Sequence, residues 1–237
     1  MVHAVIRADA FDMSDQQRVS GRWRGAGASL GAAALVTLVI GIAACGGDDG
    51  DENTAQAAAS GTPRPAAGDL ERFLMQRGEE PGFRPGAAPG AMPSSGETIT
   101  GVRAFAEEMR LPQADVQRLR REGFISFTVQ PIRGPGTAGI SNVALFATAE
   151  GAKQNMAHEL RSDVIRAFGP VETLRYFTVP GIPGARGWTA SEPPVGNLWW
   201  VQGRCVLVLG NQGPGPLAGP LSTGARAIYR RTEGQCP

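Results

Sequence analysis

The sequence predicts an α+β domain: an antiparallel sheet of about six strands with helices packed on one face, preceded by a cleaved signal segment and a flexible linker. Three observations lead there. After residue 170, four strand-type segments follow one another with short links, which favours antiparallel pairing. Two more precede and lead into a long amphipathic segment over 149–168, whose apolar residues recur every four positions. Glycine (33) and proline (18) are abundant. Many of them sit before residue 100, which puts the poorly ordered part on the N-terminal side.

The N-terminal part divides into two. Arg7, Arg18, Arg22 and Arg24 form a basic flank, and an apolar run follows from Ala26 to Ala44. A basic flank, an apolar core and small residues at its end are the pattern of a secretory signal. The run ends Ile42-Ala43-Ala44-Cys45, which resembles the lipobox of bacterial lipoprotein precursors. That resemblance implies cleavage before Cys45 and lipidation of its sulfur. An uncleaved anchor is the competing reading, but about 17–19 apolar residues interrupted by Gly31, Thr37 and Gly41 make a poor span. The expected division is a signal at 1–44, a linker at 45–67 and one domain at 68–237. The linker opens with Asp48, Asp49, Asp51 and Glu52. These lack the spacing and flanking helices of a calcium loop, so they read as a solvated tether.

Within the domain, Asp69–Met75 reads as a short helix capped by Asp69, with Leu70, Phe73 and Leu74 on one face. Helices are expected over Val102–Met109 and Gln113–Arg121, the latter closed by Gly123. Strands are expected at Phe124–Val129 and Asn142–Phe146. Thr148 should cap a helix running to Phe168. Strands Thr173–Val179, Arg186–Ala190, Leu198–Gln202 and Arg204–Leu209 come next, the last two joined by a tight turn at Gln202-Gly203. A final helix runs from about Pro220 or Leu221 to Arg231.

Little of this points to catalysis. The formal net charge is +1, so no basic field argues for nucleic acid. Cys205 and Cys236 remain once Cys45 is lipidated, and an even count in an oxidising compartment predicts a disulfide between them. A thiol nucleophile would need a base and zinc would need three or four ligands. Only His158 remains after the signal, about 200° round its helix from Met156 and Leu160. Gly134-Pro135-Gly136-Thr137-Ala138-Gly139 matches G-x-G-x-x-G, but a strand rather than a helix follows it, so it reads as a hairpin loop. No catalytic residue, metal or cofactor is expected.

Trp188, Trp199, Trp200 and Arg186 form the candidate ligand surface. Adjacent Trp199 and Trp200 must project to opposite faces of their strand, and exposed tryptophan is common at binding surfaces. Arg226, Arg230 and Arg231 on the last helix could add attraction for an anion or a wall polymer. The chain is thus expected to be a non-catalytic lipoprotein on the extracytoplasmic face of the cell membrane. Its partners would be the membrane, through its lipid, and an envelope ligand or protein. The alternatives are an exported hydrolase using Glu107 and Glu108 or Glu159 and Asp163, or a purely structural envelope protein.

Taken whole, the chain resembles actinobacterial-type lipoproteins. The likeness rests on the lipobox, Pro81-Gly82-Phe83-Arg84 after a short helix, Val143–Phe146 leading into Ala149–Ala152, and the Gly203-Arg204-Cys205-Val206 hairpin with its closing cysteine. The layout is more loosely similar to the extracellular sensor domains of mycobacterial-type serine/threonine kinases. That similarity implies an α+β, disulfide-bonded fold, with two cysteines here where those domains usually carry four.

Overall fold

The computed structural model describes residues 68–80, 83–86, 97–134, 136–166 and 174–236. The signal segment 1–44, Cys45 and the linker 45–67 lie outside these, as do Phe168 and Thr173. Short elements come first: α1 (Gly68–Glu71), β1 (Arg84–Pro85), β2 (Thr98–Thr100), α2 (Val102–Met109) and α3 (Gln113–Glu122). The two long strands β3 (Phe124–Gly134) and β4 (Thr137–Phe146) follow, then α4 (Ala149–Glu159) and α5 (Ser162–Arg166). The chain closes with β5 (Arg175–Thr178), β6 (Arg186–Ser191), β7 (Pro194–Gln202), β8 (Cys205–Gln212) and α6 (Ala218–Arg231).

The strands form one antiparallel sheet of eight in the order β1-β3-β4-β8-β7-β6-β5, with β2 also pairing to β3. Strand alternation divides the core into two layers, one on each face. Face one carries Phe127, Val129, Ala144, Phe146, Trp188, Trp199, Val206 and Val208 beneath α2, α3, α4 and α5. Face two carries Ile132, Val143, Leu198, Trp200, Leu207 and Leu209. It lies beneath α6 and the residues from Leu70 to Met75. Helices therefore cover both faces rather than the one expected. The reason is the first described segment: Leu70, Phe73, Leu74 and Met75 are all buried, and they pack on face two.

Strands ran longer than composition suggested. β3 continues through Pro131, and Pro131 O accepts from Gly86 N–H. The N and the C=O of a residue in an antiparallel strand point to the same side. The missing N–H therefore faces the two-residue β1 and costs nothing against β4. The 149–168 helix is broken instead. Leu160 caps α4, and α5 restarts at Ser162-Asp163, residue types that favour helix starts over helix interiors. Asp69 lies within the first turn of α1, which begins one residue earlier than expected.

Other local expectations hold. Thr148 Oγ1 accepts from Gly151 N–H at 3.0 Å. Gly123 closes α3 with φ 74°. Gly134 pairs with Thr137 across a hairpin, so the G-x-G-x-x-G stretch joins two strands. The buried side of α6 is Leu221, Gly224, Ala225 and Ile228 at helical spacing.

Candidate functional site

Cys205 and Cys236 are disulfide-bonded, with their Cα atoms 5.8 Å apart. The bond ties the residues after α6 to the start of β8 and leaves neither sulfur for chemistry. His158 is half-buried near the end of α4. Among the described residues, no group of three or more His, Cys, Asp or Glu is placed to hold a metal ion.

The paired carboxylates of the hydrolase alternative separate. Glu107 bonds Arg103 on the exposed side of α2, and Glu108 is exposed beside it. Asp163 is exposed, and the Arg161 guanidinium holds its carboxyl below the usual range, chiefly through a direct hydrogen bond. Glu159, which reads as a solvated residue on its own helix, is buried. α3 lies against that side of α4, and Arg118 reaches across to Glu159 Oε1 at 3.2 Å. Arg118 also donates to both oxygens of Glu122, at 3.0 and 2.8 Å, and lies 3.7 Å from Asp115. Asn155 Nδ2 adds a bond to Glu122 Oε2 at 2.9 Å. One guanidinium thus pins α3 to α4. Gly151 serves the same joint, since a Cβ there would collide with Glu122 O.

The tryptophans are core residues. Trp188, Trp199 and Trp200 are all buried, because both faces of the sheet are covered. An indole surface facing solvent is therefore replaced by something narrower. Trp200 belongs to face two. Trp188 and Trp199 belong to face one, with ring centroids 6.4 Å apart and planes inclined by 28°. Register puts Arg186 opposite Trp199 and Tyr176 opposite Trp188, so all four side chains project from the same face.

Arg186 is exposed, and Tyr176 is 60% exposed, the one large exposed apolar side chain among the described residues. Trp188 Nε1 is buried without a protein partner. Together these residues make a corner at the β5 end of the sheet: two buried, stacked indoles, the exposed Tyr176 ring and, diagonal to it in the register, the exposed Arg186 side chain. Tyr176 went unnoticed in the sequence because Arg175-Tyr176-Phe177 looks like any amphipathic strand. Only the end position of β5 in the sheet leaves the ring uncovered.

The remaining arginines divide. Arg226 and Arg230 are exposed. Arg231 is engaged: it donates to Glu79, to Arg72 O and, at 2.8 Å, to Leu74 O. It holds the segment Arg72–Glu80, called the strap below, against α6. Next to Glu79, Glu80 turns inward, and desolvation raises its carboxyl from 4.5 to about 7.

No protein-family model and no curated protein matches the chain. Among solved structures, the extracellular domain of PknH from Mycobacterium tuberculosis is similar, with a TM-score of 0.44 and 15% identity over 73% of this chain and 100% of that one.

Proposed function

We propose that the protein is a non-catalytic binding module held at the extracytoplasmic face of the membrane by a lipid on Cys45. Residues 45–67 act as the tether, and an envelope ligand or partner docks at the corner of Tyr176 and Arg186 above Trp188 and Trp199. The exposure of Tyr176, in register with Trp188 and beside Arg186, carries this reading. An uncovered aromatic ring next to a cation offers stacking and a charged hydrogen bond together. Such mixed anchors concentrate binding energy at interfaces. The short basic-then-apolar start ending at Ile42-Ala43-Ala44-Cys45 supports the anchor.

The test uses the full-length lipoprotein in detergent and purified envelope sacculi. Wild type should co-sediment with the sacculi, and Tyr176→Ser with Arg186→Glu should lose about tenfold in affinity, roughly 1.4 kcal/mol. Cys45→Ser should stay an unlipidated precursor by mass yet still co-sediment. Equal sedimentation of wild type and the corner variant would move the docking site elsewhere. Absence of lipid from wild type would refute the anchor.

A further inference from the structure

On face two, beneath the strap, polar side chains are buried with no hydrogen-bond partner among the described residues. The strap meets the sheet at Met75, whose N–H donates to Ser141 Oγ at 2.9 Å. Farther on, the ring of Phe83 lies over Gly134, where a Cβ would stand 2.8 Å from it and 2.7 Å from Thr137 Oγ1. Glu80 lies between those two points along the chain. It is 1% exposed, and neither carboxylate oxygen has a partner. Its Oε2 and Leu209 Cδ1 each lie 3.2 Å from the position of a Cβ on Gly224, so the carboxyl is wedged between the strap, α6 and β8.

Asn211 rises from β8 on the same face, one pleat beyond Leu209, at about 7 Å along the strand. It is fully buried, and both its amide oxygen and its amide nitrogen are unpaired. Its side chain lies over Gly139, where a Cβ would collide with Oδ1. Gly139 sits on β4 between Ser141, which holds Met75, and Thr137, whose Oγ1 and the Phe83 ring both lie at Gly134. Along the strap Glu80 lies between the residues seated at Ser141 and at Gly134, and Asn211 Oδ1 lies over Gly139 between those same two points of the hairpin.

Other oxygens on this face match in kind. Thr137 Oγ1 is also unpaired, as is Oε1 of Gln130, which stands opposite Ser141. The unmatched atoms on this face are Glu80 Oε1 and Oε2, Gln130 Oε1, Thr137 Oγ1 and Asn211 Oδ1, against two donors, Asn211 Nδ2 and Trp200 Nε1, the latter opposite Leu207 and two pleats away from Asn211. Buried polar atoms in folded proteins are satisfied by protein, water or ligand. A set rich in oxygen acceptors, with one carboxylate and no cationic partner for it, selects positive charge.

We propose that the space between the strap, α6 and β4 is a binding site for a small cation that takes oxygen ligands. Glu80 supplies the charge and Asn211 Oδ1 the second ligand. This site is on the opposite face from the Tyr176–Arg186 corner and does not depend on it. Two kinds of cation share the required chemistry: an ammonium group, which donates three hydrogen bonds, and a hard metal ion, which accepts oxygen lone pairs.

The experiment is isothermal titration and thermal melting of the intact, disulfide-bonded protein at constant ionic strength. The probes are methylammonium, sodium and calcium chlorides, with tetramethylammonium chloride as the filler salt. Saturable binding of one probe, with a melting temperature that rises with its concentration, is expected. Response to methylammonium alone assigns an ammonium ligand; response to sodium or calcium alone assigns a metal. Glu80→Gln should lower that affinity at least tenfold while the Cys205–Cys236 bond and far-UV spectrum stay unchanged. Direct titration of wild type makes the first result independent of whether the variant folds. The proposal is overturned if no probe binds, if Glu80→Gln binds as wild type does, or if a crystal grown with the probes holds only water beside Glu80 and Asn211.

Discussion

Between about pH 4.5 and 7 the fold should lose stability through one side chain. Burial lifts the Glu80 carboxyl from 4.5 to about 7, and neither oxygen has a partner to favour ionisation. The nearest ion pair on the same elements, Glu79 with Arg231, is already closed. Below pH 4.5 the folded and unfolded chains both hold the Glu80 proton, so stability does not change with pH on its account. From 4.5 to about 7 the folded state keeps a proton that the unfolded state has released. Stability then falls by up to about 1.4 kcal/mol per pH unit. Over that interval the loss sums to at most about 3 kcal/mol, and above it both states are ionised and the loss is complete.

Glu80→Gln keeps the volume and cannot ionise. It should remove the slope, leaving the variant more stable than wild type at pH 8 and close to it at pH 4. The assay is urea unfolding across pH 4–8.5 in tetramethylammonium buffer, followed by fluorescence of the buried Trp188, Trp199 and Trp200. Asp163 acts in the opposite direction: its lowered carboxyl favours the folded state above its unfolded value of 3.8 and loses that contribution in acid. Its window lies below that of Glu80. Parallel curves for wild type and Glu80→Gln between pH 4.5 and 8 would refute the reasoning.

Two further perturbations test how the layers are held. Replacing Cys205 and Cys236 by serine opens a link spanning 31 residues and should cost about 4 kcal/mol in the chain-entropy model, read from urea midpoints. A reductant should reproduce that shift in wild type and leave the variant unmoved. Arg118→Leu leaves Glu122 and Glu159 buried without their cation and should cost about 3–5 kcal/mol. Adding Glu122→Gln and Glu159→Gln should recover much of that loss; no recovery would mean the guanidinium acts by packing alone.

What could be read in the sequence was the local part of the structure. The Thr148 cap, the Gly123 stop and the Gly203 turn each depend on a few neighbouring residues, and each stands where expected; the order of helices and strands does too, apart from the short β1 and β2, which were not expected, and the break between α4 and α5. The pairing of the two cysteines followed from their number and the oxidising compartment that the N-terminal segment implies. The rest depended on partners far along the chain. The extension of β3 through Pro131 depends on which side of the strand carries a neighbour, and Gly86 supplies that answer from 45 residues away. Glu159 reads as solvated on its own helix; α3 buries it. Trp188, Trp199 and Trp200 read equally well as core or surface, because strand alternation assigns side chains to faces without saying whether a face is covered.

Glu79 and Glu80 show where local reading stops. Both sit in Gly78-Glu79-Glu80-Pro81, a charged turn by composition, yet one is satisfied and the other buried bare. The difference comes from Arg231, 152 residues away in sequence. Its guanidinium is filled by Glu79 and by the carbonyls of Arg72 and Leu74. With that cation taken, and with Met75 N–H fixed to Ser141, the next carboxyl is carried inward to Gly224, whose lack of a Cβ admits it beside Met75 and Leu209. Five residues beyond Arg231, Cys236 is bonded to β8. The same stretch of α6 and its tail therefore restrains both the strap and the C-terminal end. That shared restraint keeps a segment with few helical residues of its own closed over face two, and it is what holds Glu80 in a setting that an isolated carboxyl would avoid.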